Sequence, residues 1–340
     1  MSITTLLNTI TLPEMTDLIK RNWIENGNRV PTPALQLFIR STAPAGTGEV
    51  KRFSEIDIDD FANNKGQGQN VSKGQLGTGY EKDMTVKRIG KEFDITYEMR
   101  KYNKYPEVQA ILSGIVELAP QRIDLDATHR FTFASATSYV DMDGATVDVT
   151  MGDGLSMINN AHLLKYSAST YSNRLTGDPA FSKTALESAE ELANTNVLDN
   201  LGQRRVYNFN TIITGDDPAT VNTVKTYLES IADPTANQAG VVNVYKGKYR
   251  HVILPRLAST ARGGYDSTKK RWWFLGAISG SAKGSLQAHY CEWDAPMLLT
   301  PEANPDLKDN HKDIWSYGVR AAYGLVIVSG RGIIGSLPVS

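Results

Sequence analysis

Apolar and polar positions divide the chain into stretches of different period. Residues 1–47 mix apolar positions with Pro13, Pro31, Pro33 and Pro44, and only Met15 to Ile24 has helical spacing, so this part reads as an arm. Residues 49–59 are polar and strand-like. They lead into Ala62-Asn63-Asn64-Lys65-Gly66-Gln67-Gly68-Gln69-Asn70, with Gly74, Gly77, Gly79 and Tyr80 beyond, a composition that predicts a loop tip of high backbone entropy. Val86, Ile89, Phe93, Ile95 and Tyr97 then alternate with charged residues and predict the returning strand. The reading is a long hairpin over residues 48–97. Two strands alone are marginal in water, so such a hairpin must lie on another surface, and a second subunit is one candidate.

After Pro106, Val108, Ile111, Leu112, Ile115, Leu118, Ala119, Ile123 and Leu125 recur at helical spacing as far as Phe131. A helix of that length spans roughly 40 Å at 1.5 Å per residue. Pro120 removes a backbone donor inside it and predicts a kink or a break. Tyr139 to Thr150 reads as strand. Ser182 is a candidate N-cap for a helix through Leu186, Ala189 and Leu192. Tyr207 to Thr214 reads as a strand, and Asp217-Pro218 opens a helix with Val221, Val224, Leu228 and Ile231 on one face. Further strands are predicted at Val241–Tyr245 and Tyr249–Leu254, and a last β-rich stretch runs from Ile314 to Val328 before Gly330-Arg331-Gly332. Strand followed by helix in the middle of the chain predicts an α/β unit inside an α+β whole.

Composition narrows the function. With 340 residues and 41% hydrophobic content the chain can bury a sizeable core. Its 36 basic and 37 acidic residues nearly cancel, which argues against a dedicated DNA binder or an anionic-membrane binder. No apolar run approaches the roughly 20 residues needed to span a bilayer. The start, Met1-Ser2-Ile3-Thr4, lacks a basic n-region and an apolar h-region, so the expectation is a protein that stays in the cytoplasm of the cell that makes it. Cys291 is the single cysteine, which excludes an internal disulfide and a cysteine-based zinc cage.

The order of parts resembles the tailed-bacteriophage major capsid proteins of the Hong Kong 97-like fold. Asp153-Gly154-Leu155, His162, Asn173-Arg174-Leu175, Phe181-Ser182 and Gly202 ahead of Ile212-Ile213 are similar to the Mu-like major head subunits, as is the ending Asp313-Ile314-Trp315-Ser316-Tyr317-Gly318-Val319-Arg320-Ala321-Ala322-Tyr323-Gly324. The resemblance implies an N-terminal arm at 1–47, an E-loop at 48–97 and a P-domain with a spine helix at 98–204. It further implies an A-domain at 205–300 and a return to the P-domain at 301–340. It implies a subunit of the virion shell, assembled as hexamers and pentamers in the bacterial cytoplasm. A separate scaffold, a portal, possible decoration proteins and non-specifically contacted DNA would be its partners. An encapsulin-type compartment shell shares the fold and is the near alternative.

The chemical candidates have simpler readings. Asp306, Asp309, His311 and Asp313 have metal-ligand density without a calcium-loop spacing, so a solvated turn is expected and no metal. His289 and Cys291 share a strand face and suggest a nucleophile and base, the rival reading being a soluble α/β hydrolase, but no orienting group is evident and no catalytic residue is assigned. Arg262, Lys269, Lys270 and Arg271 beside Tyr265, Trp272 and Trp273 resemble a single-strand nucleic-acid patch, although packing is the simpler account. Gly66, Gly68, Gly74, Gly77 and Gly79 match no phosphate-loop motif, so they are read with Tyr80 as a flexible assembly loop and no cofactor is expected. Lys65 and Lys73 are candidates for crosslinks, with non-covalent assembly as the expectation.

Overall fold

A computed structural model describes residues 12–26, 30–58, 64–71, 73, 76–101, 105–234, 241–279, 285–301, 308–309 and 314–339. Helix α1 (Leu12–Asn26) and a 3-10 turn (Ala34–Leu37) precede strand β1 (Ile39–Thr42). The hairpin strands β2 (Val50–Ile58) and β3 (Leu76–Thr85) follow, then β4 (Lys87–Thr96), short helix α2 (Tyr97–Lys101) and the long helix α3 (Tyr105–Thr132). Two small ribbons come next, β5 (Ser138–Val140) with β6 (Thr146–Asp148), and β7 (His162–Leu163) with β8 (Thr170–Tyr171). The α/β part holds helix α4 (Lys183–Thr195), β9 (Thr211–Thr214), helix α5 (Pro218–Glu229), β10 (Arg250–Ile253) and β11 (Trp273–Gly276). The chain closes with β12 (Ala288–Leu299), β13 (Lys308–Asp309), β14 (Ile314–Ile327) and β15 (Ile333–Ser336).

Two sheets carry the body. In the first, β14 pairs antiparallel with β4 along one edge and with β12 and β13 along the other, while β1 adds parallel to β12. The second has the order β10-β9-β11-β15, with β10 and β9 parallel and the others antiparallel. Every residue of β9, β11 and β15 is buried, because both faces of this sheet are covered and the strands read as apolar runs without alternation. Ile213, Phe274 and Ile333 enter a core shared with Ile123, Ala127 and Phe131 of α3. Ile212, Trp273, Leu275 and Ile334 face Leu186 and Ala189 of α4 and Val224 and Leu228 of α5. A third cluster joins Ile19 of α1 and Ile115 and Ala119 of α3 to Ile95, Tyr317 and Val319.

Local signals in the sequence are realised at both α/β helices. Ser182 accepts from the Ala185 amide at 3.1 Å, and Asp217 accepts from the Thr220 amide at 3.1 Å with Pro218 in the first turn, so each cap satisfies an otherwise orphan donor. Four expectations need correction. The partner of β2 is residues 76–85, not 86–97, and β4 joins the body sheet instead. Helix α3 runs through Pro120 without a break. Val241–Tyr245 forms turns with one isolated bridge, Ala232 to Val242, instead of a strand, and α5 ends before Ile231, which is exposed. The predicted stretch from Ile314 is β14 of the first sheet, and the strand after it, β15, pairs with β11 of the second.

Candidate assembly site

The extended hairpin is docked along its own chain. Near its root, Phe53 stacks on His289 with ring centroids 4.3 Å apart, and Lys51 Nζ lies 3.6 Å from Cys291 Sγ. Met84 is buried with Cys291, Val326 and Val328, with Phe53 and Trp293 packed against them. Gly324 leaves room for this: a Cβ there would stand 2.6 Å from Met84. The root is also pinned by charge on either side of Val86. Lys82 pairs with Asp148, and Lys87 Nζ lies 2.6 Å from Asp126 and 2.5 Å from Asp141, two buried carboxylates that also bind Arg122. Burial pushes the Asp141 carboxyl up, but the hydrogen bond from Lys87 and the nearby Arg122 charge outweigh it, and the group sits below the ordinary carboxylate range.

Halfway along, the hairpin is held by a buried polar cluster. Arg331 Nη1 donates to both Glu55 oxygens at 2.9 and 2.8 Å, Arg331 Nη2 donates to Asn200 Oδ1 at 2.7 Å, and Asn200 Nδ2 donates to Glu55 Oε2 at 3.0 Å. The guanidinium lies over the Tyr171 ring at 5.5 Å, Tyr171 stacks on His162 at 4.8 Å, and His162 Nδ1 donates to Asp153 at 2.7 Å. Burial pushes Asp153 up, but the His162 bond and the Leu155 and Leu163 amides bring it below its ordinary value. Asn173 donates to the carbonyls of Met157 and Gly330 at 2.7 and 3.0 Å. Farther out, Lys165 donates to the Thr78 and Gly79 carbonyls at 2.9 and 2.7 Å, and Tyr166 donates to Thr78 at 2.6 Å.

The named loop residues therefore separate into two groups. Gly66 and Gly68 lie in an exposed turn closed by the Gln69 amide on the Gly66 carbonyl, and Gly68 takes φ +78°. Gly77, Gly79 and Tyr80 lie on β3, and Gly74 is outside the described residues. At Gly79 the missing side chain serves close packing: a Cβ would stand 2.4 Å from Asn200 Nδ2 and 2.6 Å from Glu55 Cβ. Lys65 and Lys73 are exposed. Sequence reasoning missed Glu55, Asn200, Tyr171 and Arg331, which lie far apart in the chain. Only the Asp153, His162 and Asn173 motif pointed toward this place.

His289 and Cys291 do share a face of β12, but the hairpin covers it, and burial followed by the Lys51 charge holds His289 down at about 4. Trp273 and Trp272 are core residues and Lys269 Nζ sits 4.3 Å over the Phe133 ring, so of the three aromatic residues named there Tyr265 alone is exposed. Asp306, His311 and Asp313 lie outside the described residues. Among the described residues no helix is long and apolar enough to cross a membrane, and no group of three or more potential ligands could hold a metal.

A docked hairpin root, a long helix against a five-stranded sheet and a separate α/β sheet constitute the architecture expected of a shell subunit. A model of the phage capsid protein family matches residues 79–335. The chain belongs to the phage capsid protein family. Among solved structures, the capsid of the cyanophage P-SCSP1u shares the fold, with a TM-score of 0.51 and 11% identity over 88% of this chain and 85% of that one. A chain of Gordonia phage Cozz aligns at 15% identity over 89% and 85% of the two chains, TM-score 0.49. The virus-like particle from Pyrococcus furiosus aligns at 12% identity over 95% and 99%, TM-score 0.47. No curated protein matches the sequence. The capsid protein thus has the Hong Kong 97-like fold and is a structural subunit of a virion shell made of its own copies, a reading the family favours over a compartment shell.

Proposed function

We propose that this major capsid protein closes an icosahedral head by laying the tip of its hairpin, and its N-terminal arm, on neighbouring copies, while the α/β parts meet at the centres of hexamers and pentamers. The observation that carries the reading is the contrast within one hairpin. Residues 50–58 and 76–85 are held to the body by stacking, ion pairs and a buried polar cluster, whereas residues 64–71 and 73 are all exposed. A presented loop on a fixed base gains buried area only from another molecule. Many similar contacts of modest area then add up in a closed shell. Assembly is non-covalent and takes place in the bacterial cytoplasm with a separate scaffold and a portal. The near-neutral net charge keeps any contact with packaged DNA weak and non-specific.

Deleting residues 64–71 tests this. The expected result is folded subunits that sediment as small species and show no shells by electron microscopy. Shells of normal size from the deletion would overturn it.

A further inference from the structure

We propose that Arg331 and Asn200 are positioning residues for the assembly loop: they grip Glu55 and so fix how much of the hairpin is free to reach a neighbouring copy. The proposal rests on the reading of the hairpin tip as the element that contacts other subunits.

The geometry begins with a break in pairing. Ser54 faces Glu81 and Ile56 faces Thr78, so Gly79 and Tyr80 together oppose Glu55. A bulge of this kind re-aims a side chain, and here the Glu55 carboxylate enters the body and is 2% exposed as a residue. It meets Arg331, 3% exposed, and Asn200, 0% exposed, and the three close a ring of hydrogen bonds. Gly79 allows the approach, because no Cβ fits between Asn200 and Glu55.

Apolar residues of similar volume would hold the hairpin to the body at least as firmly, since an ion pair loses much of its attraction to desolvation. What the charged ring adds is direction. Arg331 Nη1 donates to both Glu55 oxygens while Nη2 donates to Asn200, so the planar guanidinium sets the angle between its two partners. A slip of one residue would bring Ser54 or Ile56 to Arg331 and leave its charge buried without the carboxylate. The ring also lies at a boundary. Rootward are the Phe53 and Met84 contacts, and tipward, among the described residues, the Lys165 and Tyr166 bonds to Thr78 and Gly79 are the last before the exposed residues.

The test is hydrogen exchange on unassembled full-length subunits carrying Arg331→Gln, with Asn200→Ala beside it because that variant spares the ion pair. The expected result is exchange at least roughly tenfold faster in residues 50–58 and 76–85, unchanged exchange in residues 115–132, and shells that are fewer and uneven in size. Arg331→Lys, which keeps the charge but not the fork, should fall between. Unchanged protection in the hairpin overturns the proposal, and so does a uniform rise across the molecule in both variants, which marks a merely structural role. The deletion of residues 64–71 is measured in parallel. Normal shells from it refute the loop's role between subunits, whereas the hairpin's protection in the point variants decides the grip.

Discussion

The ring of Phe53 lies on the ring of His289, 22° from parallel, although one belongs to the hairpin and the other to the body sheet. The contact helps bury the imidazole and hold its pKa at about 4. In Phe53→Ala the imidazole gains water, and its pKa should rise from about 4 toward the ordinary value near 6.5. A proton NMR titration of the subunit reads this directly, and an unchanged value would show that the strands of the body alone bury His289.

His129 and His251 are likewise held down at about 4, chiefly by burial. The sign follows from the unfolded chain, where each histidine takes its proton near pH 6.5. Above that pH both states are neutral and stability is complete. As pH falls from about 6.5 to about 4 the unfolded state binds more protons and stability declines. Thermal melts of the unassembled subunit should therefore show Tm decreasing across that window, and replacing His129 by Gln should flatten part of the slope.

Lys87 lies between Asp126 and Asp141, whose side chains are 5% and 1% exposed. Lys87→Met leaves Arg122 alone to balance both carboxylates. The expected loss is about 2–3 kcal/mol, under the full cost of breaking a buried pair because the Lys87 side chain is 29% exposed. Urea unfolding of the two proteins measures it, and equal midpoints would contradict the prediction.

Two glycines should respond in opposite directions to alanine. At Gly79 the added methyl group meets Asn200 and Glu55, with an expected cost of about 1–3 kcal/mol. At Gly114, in α3, nothing among the described residues outside the helix's own backbone lies within 4 Å of an added Cβ, and alanine should stabilise the subunit by about 0.5–1 kcal/mol through helix propensity. Melting temperatures of the two variants against the natural protein give the signs.

Much of the element order was legible because it is written in local signals: helical spacing from Val108 to Phe131, the caps at Ser182 and Asp217, and alternation at Ile89, Phe93 and Ile95. Pairing was less so. Residues 76–85 carry Gly77, Gly79 and the charges Glu81, Lys82 and Asp83, a weaker strand signal than residues 87–96, so the more regular strand was paired with β2. The pattern that marks β4 as a strand is created by burial against α1, α3 and β14, and alternation does not say which strand lies alongside. Nor does any local rule connect Glu55 to Arg331, 276 positions away, since a buried ion pair obeys the tertiary fold and not a spacing. The tryptophans at 272 and 273 point in the other direction, because basic neighbours suggest a surface while Trp272 is buried and Trp273 begins a strand that is wholly buried.

Strands β3 and β4 are separated by Val86 alone, yet they belong to different sheets. Extended chain is nearly inextensible, at roughly 3.3 Å per residue. The path from Leu76 to Thr96 therefore behaves as a taut cord of roughly 70 Å of contour, tied at one end to the presented loop and at the other to β14. Under the proposed contact between the loop and a neighbouring copy, tension on the loop meets no slack: it is shared by the contacts that fasten β3 to the body and, through Val86, by the sheet against which the long helix rests, so adjoining subunits would be mechanically coupled through their backbones.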